Sequence, residues 1–250
     1  MTLTAGGHTE TGLRANNQDW LAWNLTLGIF VVADGMGGHN AGEVASHLAI
    51  QTVLEFVAES AGRPDVTWPF PYDPSLSVDA NRLLTAVRLA NRRVYEDGAS
   101  HAERQGMGTT LVGVLVTGEQ AAMVGVGDSR IYRWRARALE QLTSDDTWLS
   151  TVMGLGDDDQ SGWTHPLKHV LTSVVGTCEA LTPTARQELL LSGDRLVLCS
   201  DGVHGRLDSD AIAAVLRQDR SPDELAEALV REALARRTSD NATALVVAAA

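Results

Sequence analysis

The sequence predicts an α+β fold in which strands and helices form separate layers. Three features point to it. Short apolar runs of strand type come in blocks rather than alternating with helices one for one. Two long helical patterns stand together between the first block and the second. Turns of hairpin length separate the runs of the middle block, which a doubly wound parallel sheet would not show.

Residues 3–33, rich in Thr, Leu, Trp and Val, read as strands with turns. Asn40 then opens a helix, and Glu43 completes a capping box. Ala45, Leu48, Ala49, Thr52, Val53 and Phe56 follow at helical spacing. Residues 62–76 break that pattern, because Pro64, Pro69, Pro71 and Pro74 are four of the chain's seven prolines. Within this loop, Trp68-Pro69-Phe70-Pro71-Tyr72 either covers an edge of the core or docks a partner. A second helix is expected over 78–102, with Leu83, Val87, Ala90 and Val94 on one face. From 109 to 142 strands follow one another as in a meander, with turns at Thr117-Gly118-Glu119 and Gly127-Asp128. Residues 144–170 are polar, rich in Gly and Asp and too long for a turn, so they read as a lid or flap. Trp148 and Trp163 either pack this flap onto the body or meet the substrate. Strands return at 186–200. Ser221-Pro222-Asp223-Glu224 starts a helix with a cap, a proline at the first helical position and a capping-box Glu. Leu225, Leu229 and Ala233 give that helix its buried stripe, and 243–247 is the closing strand.

Composition narrows the function classes. The chain has 250 residues, 44 % of them hydrophobic and 21 % charged, as expected of a soluble globular protein with a sizeable core. Its formal net charge of −12 argues against a nucleic-acid partner. No run approaches the roughly 18 apolar residues of a membrane span, and the first residues lack the pattern of a signal peptide. A cytoplasmic protein without membrane attachment is expected. Cys178 and Cys199 suggest no disulfide framework, and Cys199 reads as a buried thiol.

Three aspartates carry the chemistry. Ile29-Phe30-Val31-Val32-Ala33 runs into Asp34-Gly35, Leu196-Val197-Leu198-Cys199-Ser200 runs into Asp201-Gly202, and Asp240-Asn241 precedes Thr243-Ala244-Leu245-Val246-Val247. Carboxylates at strand ends sit on rigid backbone yet can face a cleft. Three that converge repel one another unless a cation lies among them. Hard oxygen ligands suit Mg²⁺ or Mn²⁺, and metal held in this way usually serves phosphate chemistry. Each motif alone has a plainer reading. Asp34 to Glu43, with its glycines, fits a tight strand–helix turn, and Asp-Gly and Asp-Asn are common in turns. Arg14, before Asn17-Gln18-Asp19, either balances surface charge or grips a phosphate through its planar fork. Gly127-Asp128-Ser129-Arg130 equally fits a hairpin turn with solvated charges.

Taken in order, Arg14 with Asn17-Gln18-Asp19, VVADGMGGHNAGE, Met107-Gly108-Thr109-Thr110, VGVGDSRIYR, LVLCSDGV and SDNAT resemble the protein phosphatase 2C family, in its short bacterial form. The resemblance runs from about Gly6 to Val247. It implies a four-layer α-β-β-α sandwich, with two antiparallel sheets flanked by helices. Residues 1–250 would then form a single catalytic domain with a flap at about 144–170. The implied activity is hydrolysis of phosphoserine and phosphothreonine in proteins by direct attack of water, with no covalent phosphoenzyme. Asp34 would bridge two Mn²⁺ or Mg²⁺ ions, and Gly35 would lend its carbonyl oxygen. Asp201 and Asp240 would bind one of these ions, and Asp128 would help hold a third, weaker one. Arg14 would bind phosphate and Asp19 would orient the attacking water. The implied partners are phosphorylated Ser/Thr proteins, among them a partner kinase, and a monomer is expected.

The chain departs from the family pattern at three places. Gln18 stands where the family often has Glu. Met36, which cannot donate a proton, stands where many relatives have His, and His39 lies nearby. Asp145-Asp146-Thr147 replaces Asp-His-Ser. Two other functions compete: a metal-dependent phosphohydrolase of small phosphate esters, and an inactive phosphatase-like binding module, toward which only Gln18 leans. A haloacid-dehalogenase-like enzyme would need a second Asp where Met36 stands.

Overall fold

A computed structural model describes residues 1–38, 41–63, 67–148, 150 and 170–250. Two antiparallel sheets lie face to face. One contains, in spatial order, β1 (Leu3–Glu10), β11 (Ala242–Ala249), β10 (Arg195–Cys199), β7 (Arg130–Arg135) and β8 (Ala138–Gln141). The other contains β2 (Asp19–Asn24), β3 (Ile29–Met36), β5 (Leu111–Thr117), β6 (Gln120–Val126) and β9 (Thr184–Leu189), with short β4 (Gly108–Thr109) on the end of β3. Helices α1 (Ala41–Ser60) and α2 (Val78–Ser100) cover the second sheet. Short α3 (Asp201–His204), α4 (Ser209–Leu216) and α5 (Pro222–Ala235) lie on the side of the first. Among the described residues no helix is long and apolar enough to cross a membrane.

Strand alternation builds the core in three apolar layers. In β3, Ile29, Val31 and Ala33 pack against α1 and α2, while Phe30 and Val32 point between the sheets. In β10, Val197 and Cys199 face the α4–α5 side, while Leu196 and Leu198 face inward. Leu245 and Val247 of β11 share that inner layer with Met123, Ile131 and Val114. The predicted four-layer α-β-β-α sandwich is the architecture observed.

The expected helix and strand starts are close to the observed ones. Ser221 caps α5 with both hydrogen bonds of the capping box, and Pro222 opens the helix. Ser77 caps α2 by accepting from the Ala80 N–H. The expected cap of α1, Asn40, lies outside the described residues, as do Leu149 and 151–169 of the expected flap, including Trp163. Trp68 meets Phe56 edge-on with ring centres 6.4 Å apart, and Arg88 of α2 lies 5.9 Å over Phe70. The proline-rich segment therefore lies on the helix layer. One expectation is overturned. β6 and β7 do not form a hairpin at Gly127-Asp128: β6 pairs with β5 and β9, whereas β7 pairs with β10 and β8. The connection crosses from one sheet to the other, so Asp128 lies between sheets rather than on a solvated loop tip.

The two outer strands β8 and β9 are tied together by charge. Arg133 of β7 pairs with Glu140 and, at 2.8 Å, with Glu188, and Arg186 pairs with both glutamates at 3.0 and 2.7 Å. Arg133 is only 12 % exposed, whereas Arg186 is 42 % exposed. Losing the buried partner leaves charge uncompensated, while the exposed one is screened by water. Arg133→Met is expected to cost about 1–3 kcal/mol, and Arg186→Met less than about 1 kcal/mol. Urea denaturation of the two variants checks this; equal losses would contradict it.

Candidate metal centre

The inner face of the sandwich turns polar at one end. Following the alternation of β3, the residue after Phe30 and Val32 on the inner face is Asp34; after Leu196 and Leu198 it is Ser200, and beyond Val247 and Leu245 it is Thr243. Asp19 of β2 stands opposite Asp34 in register. Ser200 Oγ donates to Asp19 Oδ2 at 2.7 Å and accepts the Thr243 N–H at 3.1 Å. Thr110 Oγ1 accepts the Asp34 N–H at 3.1 Å and is 2.7 Å from Ser129 Oγ. A frame of hydroxyls thus lines the mouth where the carboxylates stand. In the sequence these four hydroxyl residues stand only as members of longer motifs, and the inward alternation of the flanking apolar residues is the signal that marks them as lining the mouth.

Each aspartate arrives on its own element. Ser200 is the residue that precedes α3, so Asp201 opens a helix rather than forming the expected Asp-Gly turn. Asp240 lies just before β11, and Asp128 lies in the crossover, where His204 Nε2 is 2.9 Å from its carbonyl oxygen. Gly35 is enclosed: a β-carbon there would lie 2.0 Å from the Gly42 carbonyl oxygen, which fits the family of short glycine contacts between β3 and α1. Arg14 is on the loop joining β1 and β2, and its guanidinium donates to Asp240 Oδ2 at 2.6 Å.

The electrostatics are those of crowded like charges. Asp34 is held well above the usual carboxylate range, first by burial and then by Asp19, Asp201, Asp128 and Asp240. Burial lifts Asp19 to about 6 despite hydrogen bonds from Thr243 and Ser200. Burial, then Asp201 and Asp145, lifts Asp128 to about 7. Asp201 is raised by burial and by Asp240, although it lies within hydrogen-bonding reach of Asp34. Among the described residues, two buried carboxylate oxygens, Asp19 Oδ1 and Asp201 Oδ1, have no hydrogen-bond partner. Such atoms are costly unless something else satisfies them. Among the described residues no three acidic, His or Cys side chains stand as a ready-made ligand cage. The crowding and the orphaned oxygens together, rather than a closed shell, fit a cation-binding mouth.

The sequence profile of protein phosphatase 2C matches residues 7–237. The chain belongs to the protein phosphatase 2C family. The Ser/Thr protein phosphatase PstP of Mycobacterium tuberculosis is 32 % identical over 248 residues, covering 98 % of this chain and 45 % of PstP, so this chain spans less than half of that relative. PppA, a regulatory component of the type VI secretion system in Pseudomonas aeruginosa, superposes with a TM-score of 0.82 at 31 % identity, over 100 % of this chain and 99 % of that one. The catalytic domain of PstP in complex with two manganese ions superposes with a TM-score of 0.81 at 30 % identity, over 98 % and 97 % of the two chains.

Two departures from the phosphatase 2C pattern acquire a structural meaning. The backbone carbonyl of Gln18 accepts from the Gly35 N–H at 3.1 Å and from Ser46 Oγ at 2.7 Å, and a β-carbon on Gly42 would lie 2.8 Å from the Gln18 side chain. Gln18 is therefore wedged between β3 and the start of α1. Asp146 Oδ2 accepts the Gly127 N–H at 3.1 Å, and the Asp146 N–H donates to the Gly127 carbonyl at 2.8 Å. Beside it, Asp145 receives both a 2.9 Å and a 2.8 Å bond from Arg130. The acidic pair fastens the crossover that carries Asp128.

Without metal, this cluster should leave a pH signature. A carboxyl whose folded pKa is raised binds more protons in the folded state than in the unfolded one, so stability falls as pH rises through the interval between the two values. For Asp19 and Asp128 that interval runs from the ordinary carboxylate value of 3.8 up to about 6 and about 7. In EDTA, Tm should fall as pH is raised from about 5 to about 8. Saturating Mn²⁺ should raise Tm most at the alkaline end and flatten the slope. A metal-free Tm that stays level or rises across this window would contradict the crowding described.

Proposed function

We propose that this protein is a metal-dependent phosphatase acting on phosphoserine and phosphothreonine in proteins. The observation that carries the reading is the pair of buried, unpartnered oxygens on Asp19 and Asp201 within a group of mutually repelling carboxylates. Asp34, the Gly35 carbonyl, Asp201 and Asp240 would hold two Mn²⁺ or Mg²⁺ ions, and Asp128 would help hold a weaker third. All are hard oxygen donors of the kind these ions prefer. When bound, the ions supply charge neutralisation at the phosphate and make water a competent nucleophile at neutral pH.

The chain's own residues do the rest. Arg14 is 57 % exposed, so its fork can reach a phosphate bound outside the mouth and hold two of its oxygens. Asp19 has one oxygen fixed by Ser200 and the other unpartnered, which suits it to orient an attacking water. Met36 offers no proton and His39 lies outside the described residues; water would protonate the leaving oxygen. Positioning and charge neutralisation carry most of the acceleration, as in other phosphoryl transfers. Cys199 is buried with its pKa pushed up to about 12, and it takes no part.

We further infer that residues 1–250 act as one catalytic unit, monomeric and cytoplasmic, with a partner Ser/Thr kinase among its phosphoprotein substrates. The family likeness supports this, and the acidic net charge of −12 disfavours a nucleic-acid partner.

The test is hydrolysis of a phosphothreonine peptide with Mn²⁺, after chelation, and after metal is restored. Activity should vanish with chelation and return with Mn²⁺. Asp201→Asn should lose at least about a hundredfold in kcat/KM while keeping its fold by circular dichroism. Near-full activity of that variant would sink the assignment. Turnover of nucleotide or sugar phosphates without turnover of the peptide would favour a small-ester hydrolase.

A further inference from the structure

We propose that Asn241 is the positioning residue for Arg14: its side chain latches the 11–18 loop to the start of β11 and so sets where the guanidinium meets phosphate. This rests on the phosphatase reading above, in which Arg14 binds the phosphate.

The loop that carries Arg14 is anchored at its far end, where the Gln18 carbonyl meets Gly35 and Ser46, and Asn241 ties that end to the turn before Arg14. The loop joins β1 to β2 without regular pairing, and both Leu13 and Arg14 are exposed, so burial does not fix that turn. Asn241 is only 4 % exposed and spends its whole amide on this loop. Its Oδ1 accepts the Gln18 N–H at 2.9 Å, and its Nδ2 donates to the carbonyls of Thr11 at 2.8 Å and Asn16 at 2.9 Å. The loop is thus held at its first residue, near its middle and at its last. The Thr11 carbonyl also accepts the Arg14 N–H at 3.3 Å, so the turn presenting Arg14 starts on an atom that Asn241 holds.

Asn241 sets the other end of the Arg14–Asp240 pair as well. Its backbone N–H donates to Asp240 Oδ1 at 2.9 Å, while Asp240 Oδ2 accepts from Arg14. Gly12 makes the approach possible: its φ is +62°, and a β-carbon there would lie 2.1 Å from the Asp240 carbonyl oxygen. The chemistry of the latch is selective. It needs one acceptor and two donors on one short side chain, which an amide provides. A carboxylate would face the carbonyls of Thr11 and Asn16 with oxygen against oxygen, and an alkyl group would leave all three backbone groups without this partner. Further fastening by Asn17, whose Nδ2 donates to Thr9 Oγ1 at 2.9 Å, lies beyond the turn and does not hold Arg14 itself.

The experiment compares wild type, Arg14→Ala, Asn241→Ala and the double variant at saturating Mn²⁺. Asn241→Ala should raise both KM for a phosphothreonine peptide and the inhibition constant of inorganic phosphate about tenfold, with kcat changed much less. Its Mn²⁺ dissociation constant by calorimetry should stay within about twofold of wild type, since no ligand oxygen is removed. The double variant should be no worse than Arg14→Ala by more than about twofold, because both changes remove one interaction. Unchanged phosphate inhibition, loss of Mn²⁺ binding, or full additivity with Arg14→Ala would overturn the proposal. Should Asn241→Ala not fold, Asn241→Ser, whose single hydroxyl cannot make all three bonds, should give the same pattern. Hydrogen exchange needs no activity and separates the two claims. The latch requires faster exchange of the Arg14 and Gln18 amides in the variant, and unchanged exchange rejects it. A wild type without Mn²⁺-dependent hydrolysis rejects the phosphatase reading instead.

Discussion

Repulsion among carboxylates at the mouth of the inter-sheet layer is the constraint on which the rest of this structure depends. The inner layer is filled by Phe30, Val32, Leu196, Leu198, Leu245 and Val247, and the same strand faces continue outward into Asp34, Ser200 and Thr243. An apolar layer cannot solvate charge, so the acids sit where it ends. Even there, burial and mutual proximity hold Asp34, Asp19, Asp128 and Asp201 above their ordinary pKa values. A fold that tolerates this spends stability on a site, and a divalent cation is the ligand that returns it.

The sandwich is well suited to that task because each acid comes from a different element. Asp19 and Asp34 are cross-strand neighbours in one sheet. Asp201 enters at the start of a helix that follows the other sheet, and Asp240 stands just before β11. Asp128 is carried by the segment that passes between the sheets, itself held by Asp146 and His204. Small displacements of any one element are resisted by strand pairing and by the hydroxyl frame of Ser200, Thr243, Thr110 and Ser129. Rigid placement of charge is what phosphoryl transfer demands of a protein.

Much of this was legible in the residues alone, and the gaps have physical causes. Asp34, Asp201 and Asp240 stood out because apolar runs end or begin beside them, a pattern that survives without knowledge of pairing. The capping box at Ser221 was legible because it is local. Partner choice between strands is not local. Gly127-Asp128 has the composition of a hairpin turn, yet β7 finds its partners β10 and β8 in the other sheet. Asp201-Gly202 resembled a turn because its helix is too short to show periodicity. Asn241 passed for a turn residue, since its bonds reach residues more than two hundred positions earlier in the chain. The acidic pair at 145–146 also gained its meaning only from the bonds to Arg130 and Gly127.

The central claim is that the aspartates from separate elements share cations. Diffraction from crystals soaked in Mn²⁺, recorded where manganese scatters anomalously, tests it most directly. The account predicts two strong anomalous peaks in the mouth, with Asp34 between them and Asp201 and Asp240 at coordinating distance of one. Peaks confined to the outer surface, with Asp34, Asp201 and Asp240 bare, would contradict it.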